Sequence, residues 1–313
     1  MKREITLRDI GKQLGLSAMT VSLALRDSSR ISDATKRRVR TAVRNINFVP
    51  NQLARALATG RSNLIGVIVP NSSDLYYAEV IRAIEDAASA NRFHVLLCNG
   101  SYRMQTYTAR VRDMRRLHMN GIIAAPPFTA ERPRLPQFWK DLSHSDFKVV
   151  LINRQLDPPI FHQVAADYMA GVDLVAAALA ERGHRRVAYI SGEPEVLPFR
   201  QRLEVFRRCV RDCGFERDDA LFERGALTAA GGYEACRRLW KANRRKPTAI
   251  VASNDTSAVG VLRYLDDVGA RVPGDVSIAS FDGTPFADFM HCSLTTVVTP
   301  MYDIGRQAFR TLL

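Results

Sequence analysis

Long apolar runs are missing from this chain, as are paired cysteines and the common phosphate-binding and nucleophile motifs. No run of about 18 apolar residues exists to span a bilayer, and the opening MKREITLRDIGKQLG lacks the apolar stretch of a secretion signal. These two absences predict a cytoplasmic protein with no membrane partner. Five cysteines (Cys98, Cys209, Cys213, Cys236, Cys292) are an odd number scattered over 313 residues, which does not fit a secreted disulfide framework and makes reduced thiols the expectation. Cys209 and Cys213 lie one helical turn apart and could hold a metal with a third ligand; two idle thiols are the simpler reading, and no metal is assigned. There is no G-x-G-x-x-G after a strand, no G-x-x-x-x-G-K-[ST], no H-E-x-x-H and no G-x-S-x-G. The usual nucleotide cradles, zinc site and nucleophile elbow are therefore absent, so no enzyme is expected, with no catalytic residue and no cofactor.

What is present is positive charge, and it is concentrated. Residues 1 to 62 hold thirteen Lys and Arg against four acids (Glu4, Asp9, Asp27, Asp33), while the other 251 residues carry 32 basic and 28 acidic groups. A basic head on a nearly balanced body points to phosphate binding localised at the N-terminus. A solvated basic face or a membrane-surface patch is the competing explanation. The length, with 46% hydrophobic residues, predicts two or three domains with a sizeable core.

Residues 1–46 read as three short helices. Thr6 can cap the first, with Asp9 at the reciprocal capping-box position and Leu7, Ile10 and Leu14 on one face. Gly15 ends it. Ser17 can cap a second helix with Val21, Ala24 and Leu25 inward, and Ser32 a third with Val39, Ala42, Val43 and Ile46 inward. Two capped helices joined by a glycine-containing turn are the layout of a helix-turn-helix, whose second helix enters the major groove. Residues 47–62, NFVPNQLARALATGRS, form a separate segment that is too short for a stable isolated helix and is expected to order on docking, as a hinge. From residue 63 the runs LIGVIVP, HVLLCN, GIIAAPP, VVLINR, QVAAD, RVAYISG, AIVASND, VSIASFDG and LTTVVTP alternate with amphipathic helices. That alternation predicts parallel sheets with helices on both faces, where ligands sit beyond the carboxyl ends of the strands. Asn71, Asn153, Arg154, Asn254, Asp255 and Asp282 stand at those ends.

The segments TLRDIGKQLGLSAMTVSLALRD, VPNQLARAL, SNLIGVIVPN, ERGHRRVAYISG, RLEVF, AIVASNDTSAVGVLRYL, GDVSIASFDG and LTTVV resemble the lactose/galactose repressor family of transcription regulators. Their order and spacing run from Ile5 to about Phe309. The resemblance implies an all-α helix-turn-helix head on an α/β body like a periplasmic sugar-binding protein, made of two doubly wound parallel-sheet subdomains. The expected division is a head at 1–46, a hinge at 47–62 and a body at 63–313. Within the body, subdomain one is 63–164 plus 297–313, and subdomain two is 165–296. The implied function is a repressor that binds a palindromic double-stranded DNA operator as a homodimer, its grip switched by a small-molecule effector, a sugar first and a purine corepressor second. A solute-binding module without DNA function is the alternative from another class.

The resemblance places Ala18, Met19 and Leu23 at base edges. Apolar side chains cannot make bidentate hydrogen bonds to guanine or adenine, but they can touch a thymine methyl group, and DNA shape would supply further readout. Simple packing is the competing reading for Met19 and Leu23. Thr6, Ser17, Thr20, Ser22, Arg26, Arg30, Ser32 and Thr35 are the expected phosphate contacts, although each Ser or Thr also suits an ordinary helix cap. In the hinge the pattern carries to Asn51, Ala54, Arg55 and Leu57, with Leu57 as the wedge into a minor-groove base step; packing of Leu57 on the body is its alternative. Arg202 and Asp282 match the family's effector contacts, with Tyr76, Tyr77, Asn153, Arg154, Asn254 and Asp255 completing the cleft. Val205, where relatives carry Gly, and Pro198, where a hydroxyl residue is common, depart from the pattern. The family also continues past MYDIGRQAFRTLL with a further strand and tail, without which a sheet edge would stay open.

Overall fold

The computed structural model describes residues 5–25, 27–46, 62–127, 136–154, 156, 159–193 and 196–313. The chain divides into two compact units, Met1–Ser62 and Asn63–Leu313. In the first, α1 (Leu7–Leu14), α2 (Ala18–Leu25) and α3 (Asp33–Asn45) pack around Ile10, Val21, Ala24 and Val39. The expected capping box is present: the Thr6 side chain accepts from the Asp9 backbone N–H, and the Asp9 carboxylate accepts from the Thr6 N–H at 2.9 Å. Two glycines make the turn. Gly15 sits at φ +67°, a left-handed conformation that closes α1. A Cβ on Gly11 would lie 2.5 Å from the Leu16 carbonyl oxygen, so only glycine lets the turn fold back on α1.

The second unit carries two parallel five-stranded sheets. In the first half the elements run β1 (Leu64–Val69), α4 (Leu75–Ala90), β2 (His94–Asn99), α5 (Met104–Arg116), β3 (Gly121–Ala124), α6 (Gln137–Ser143), β4 (Lys148–Ile152) and β5 (His162–Val164). The second half runs α7 (Tyr168–Glu181), β6 (Val187–Ser191), α8 (Leu197–Asp212), β7 (Phe222–Arg224), α9 (Ala229–Ala242), β8 (Ala249–Ala252), α10 (Asp255–Asp267), β9 (Ser277–Asp282) and β10 (Thr295–Val298). The chain then returns to the first half as α11 (Met301–Leu312). The sheet orders are β2-β1-β3-β4-β5 and β10-β9-β8-β6-β7.

Strand periodicity sorts the core into layers. Ile65, Val67, Val69, Ile123, Val150 and Ile152 meet α4 and α11, while Ile68, Ile122, Ala124, Val149 and Leu151 meet α5 and α6. In the second sheet Ala188, Ile190, Ile250 and Ala252 face α9 and α10, and Tyr189, Val251, Ala279 and Phe281 face α7 and α8. Both faces of each sheet are covered, which is why the strands read as continuous apolar runs.

Two details differ from the sequence reading. Strand β7 has no counterpart among the apolar runs, because two of its three residues, Glu223 and Arg224, are charged. The return to the first half comes after Val298 rather than at 297: Val297 and Val298 pair with Phe281 and Asp282 of β9. The ladder keeps the strand in the second sheet to its last residue.

Gly11→Ala is expected to destabilise the first unit by about 2 kcal/mol, in the range of overpacking changes. Thermal unfolding followed by NMR should show the amides of α1 and α2 melting early, with the second unit unaffected.

Candidate functional site

Met19, the most exposed residue of α2, is apolar where a groove-reading helix commonly presents a polar side chain. Met19 is 69% exposed, so it is not a core residue, whereas Ala18 and Leu23 are half-buried. Val21 and Ala24 take the inward positions. Thr6, Ser17 and Ser32 all act as caps. Ser17 Oγ accepts from the Thr20 N–H at 3.0 Å and pairs with Thr20 Oγ1 at 2.8 Å; Ser32 Oγ accepts from the Thr35 N–H at 3.3 Å. Caps of this kind stand at helix N-termini, where the backbone N–H groups favour a phosphate. Ser22 is half-buried and Arg30 exposed. Arg26, Asn51, Ala54, Arg55 and Leu57 lie outside the described residues.

In the second unit a cleft opens between the carboxyl ends of the two sheets. Its walls follow the strands directly: Asp74, Tyr76 and Tyr77 come after β1, Tyr102 after β2, Asn153 and Arg154 after β4, and Tyr168 after β5. The opposite wall has Pro198, Phe199 and Arg202 after β6, Leu227 after β7, Ser253 and Asn254 after β8, and Asp282 at the end of β9. Seven of the eight residues expected here line it. Pro198 lies in the first turn of α8 and also lines the cleft, while Val205 packs into the core beneath α8 and takes no part. Asn71 caps its own turn, accepting from the Ser73 N–H at 3.0 Å, and stays out of the cleft.

Asp255 is the correction. It is fully buried at the start of α10, turned away from the cleft, and its carboxylate accepts from Ser280 Oγ, from the Thr284 N–H and Oγ1 at 2.7 Å each, and from Thr296 Oγ1 at 2.6 Å. Those bonds tie α10 to β9, β10 and the loop between them. Its neighbour Asn254 has two duties, capping α10 by accepting from the Ser257 N–H at 2.9 Å while facing the cleft.

The polar groups of the cleft are held in place at some cost. Asn153 has φ +54° and Asp282 φ +111°, conformations that side-chain-bearing residues seldom adopt and that concentrate at ligand sites. Arg154 is braced by the backbone, donating to the carbonyls of Pro126, Asn153 and Ala125. Arg202 donates to the Ser253 carbonyl at 3.1 Å and lies 4.2 Å over the Tyr168 ring, yet its buried Nε–H has no hydrogen-bond partner among the described residues. Burial lifts the Asp282 carboxyl well above the usual carboxylate range; Arg202 opposes the shift, and Asp74 and Asp255 reinforce it. Burial likewise raises the Tyr76 and Tyr168 phenols. An unpartnered donor and an unstabilised carboxylate in one buried site are set to bind something that both accepts and donates hydrogen bonds. Sequence reasoning missed Asp74, Tyr102, Tyr168, Phe199, Leu227 and Ser253. Tyr168 follows the QVAAD run and Phe199 adjoins Pro198, so both had a positional signal; Tyr102, on a turn with positive φ, had none.

A helix-turn-helix unit followed by a two-sheet body with its ligand cleft at the strand ends defines a DNA-binding regulator with a periplasmic-binding-protein-like body. Residues 6–51 match the model of bacterial regulatory proteins of the lacI family, and residues 176–313 match a periplasmic binding protein-like domain. The chain thus carries a lacI-family helix-turn-helix domain and a periplasmic binding protein-like domain. It is 29% identical over 309 residues to catabolite control protein A of Priestia megaterium, covering 98% of this chain and 91% of that protein. It is also 29% identical over 311 residues to the ribose operon repressor of Halalkalibacterium halodurans, covering 98% and 89%. The fold superposes on the lac repressor dimer bound to operator and the anti-inducer ONPF with a TM-score of 0.88 at 22% identity, covering 99% of this chain and 92% of that one. The homologues are transcription regulators and not enzymes.

Asp282 gives a pH prediction with a definite sign. Its folded pKa is raised, so its ionised form opposes folding; the penalty begins as pH rises through the unfolded value of about 4 and is complete above the folded one. Asp282→Asn should melt higher than the parent at pH 7, by about 2–4 °C for each ~1 kcal/mol relieved. The gap should close as the pH falls towards about 4, and a calorimetric scan in which it does not close would refute this assignment. By contrast, Asp255→Ala should lose ~3 kcal/mol or more by denaturant unfolding, because buried donors are left without their charged acceptor.

Proposed function

We propose that this protein is a cytoplasmic repressor that grips a palindromic operator as a homodimer and changes that grip when a sugar enters the cleft. The observation that carries the reading is the cleft itself, where aromatic faces, the Arg202 fork and the Asp282 carboxylate converge from both sheets. Rings and paired donors and acceptors suit the apolar faces and hydroxyls of a sugar. One of the relatives is a ribose operon repressor. A ligand contacting both halves favours one relative arrangement of the two, and linkage makes its effect on DNA affinity reciprocal.

On the DNA side, Met19, with Ala18 and Leu23 beside it, reads thymine methyl groups. The capped helix starts at Thr6, Ser17 and Ser32, together with Thr20, Ser22, Arg26, Arg30 and Thr35, take the phosphates. The hinge contacts Asn51, Ala54, Arg55 and Leu57 rest on the family resemblance. The division into head 1–46, hinge 47–62 and body 63–313 is part of the same proposal.

The test is selection of binding sites from a pool of randomised duplexes, followed by titration with sugars and purines. A selected palindrome whose affinity shifts with a sugar supports the proposal; a shift with purines alone moves the effector to that class. If no palindrome emerges, the switch is refuted. Met19→Ala should weaken the selected site by roughly 1 kcal/mol or more, in the range of a mismatched base pair, and leave non-specific duplex binding unchanged.

A further inference from the structure

The cleft is occupied by the chain's own hydroxyls. Tyr168, the first residue of α7, belongs to the second half of the body, and its hydroxyl reaches the first half. There it lies 2.8 Å from Tyr76 Oη and 3.2 Å from Asn153 Oδ1. Tyr76 Oη donates to the same Asn153 oxygen at 2.7 Å. All three residues are more than nine-tenths buried. The free space left in the cleft is about 50 Å³, room for a few waters, against the ~300 Å³ or more typical of small-molecule sites. A sugar cannot enter without breaking the contact between the halves.

The three partners are not equally movable. Tyr76 stands within α4, edge-on to Tyr77 at 5.2 Å, and contributes to the core of the first half. Asn153 is pinned by its positive-φ turn at the end of β4. Tyr168 follows the crossing segment 165–167, with its ring under the Arg202 guanidinium. When Tyr168 withdraws, Asn153 Oδ1 keeps the Tyr76 hydroxyl as its donor, but Tyr76 Oη loses the hydroxyl that donates to it inside a buried site, and the Arg202 fork loses the ring beneath it. An incoming group must restore a donor to Tyr76 Oη, whose own proton is committed to Asn153. A hydroxyl does so, whereas a carboxylate would set acceptor against acceptor.

We propose that the Tyr168 hydroxyl holds the place of a ligand hydroxyl, so that Tyr168 competes with the effector and selects a neutral polyhydroxylated one. This rests on reading the cleft as the effector site. Removing the competitor then tightens binding, because less of the protein is closed against the ligand. Removing a true ligand contact does the opposite.

The experiment compares the full chain with its Tyr168→Phe and Tyr76→Phe variants. Hydrogen–deuterium exchange without ligand is followed by calorimetric titration with D-ribose, D-glucose and D-galactose. Tyr168→Phe should speed exchange in the peptides over 73–78 and 197–203 while the β-strand peptides stay protected, and should tighten sugar binding about fivefold, the worth of one ordinary hydrogen bond. Tyr76→Phe should weaken binding, a split that a merely structural role for both tyrosines would not produce. Unchanged exchange in Tyr168→Phe, or weaker sugar binding by it, overturns the competition and leaves the effector site standing. Failure of all three sugars to bind any of the proteins refutes the neutral-sugar class, and with it the sugar effector proposed above.

Discussion

A strand can be followed by a parallel neighbour only if the chain crosses back to the amino end of the sheet, and that constraint organises the second unit. Each crossover spends its helix on a face of the sheet and its loop at the carboxyl end of the strand just left. In both sheets of this protein the central strands β1, β3, β4, β6, β8 and β9 are buried on both faces, which leaves little place for polar side chains along them. The polar chemistry is therefore pushed to the strand ends, and because the two sheets present those ends to each other, it converges on one cleft. The cleft residues come from eight separate loops or helix starts, with no more than three from any one of them.

The carboxylates at the ends of the second sheet show how environment divides one chemistry into two roles. Asp255 and Asp282 are both buried, and both stand where a strand ends or its following helix begins. Asp255 is surrounded by hydroxyl and backbone donors, which makes it a fastening between α10, β9 and β10. Asp282, on a backbone with φ +111°, faces the cleft with only the charge of Arg202 in its favour. The first stabilises the fold by being satisfied. The second leaves part of that stability unclaimed, and a ligand can supply it.

The same logic explains what could be read in the residues beforehand. The apolar runs marked nine of the ten described strands: burial on both faces requires continuous Val, Ile and Ala in the central ones, and the edge strands β2, β5 and β10 keep enough apolar residues to be seen, whereas β7, also an edge, carries Glu223 and Arg224. The caps of α1 and α3 were legible because Thr6-Asp9 and Ser32-Thr35 are local pairings. The cleft was legible where a polar residue abuts an apolar run, as at Asn153, Asn254 and Asp282. That same rule misplaced Asp255, since the direction a side chain takes at a helix start depends on hydroxyls far off in the sequence, here Ser280 of β9, Thr296 of β10 and Thr284 of the loop between them. Tyr168 and Tyr102 went unseen because an aromatic at the start of a helix or in a turn looks the same whether it packs or faces a ligand. Only the partner across the cleft distinguishes the two.

Ligand contact and fold stability are thus drawn from one set of groups. Tyr76, Tyr168 and Asn153 satisfy one another across the cleft, so the two halves are joined there by bonds of the kind the proposed sugar would offer. Such bonds differ little in strength from those that replace them. In the proposed switch, the preference between arrangements would be set by the smaller terms, the unpartnered Arg202 Nε and the desolvated Asp282 carboxyl, both of which a ligand would satisfy. A switch built this way needs no large distortion of either sheet. It needs two nearly equal sets of hydrogen bonds and a pair of buried, unsatisfied polar groups that breaks the tie.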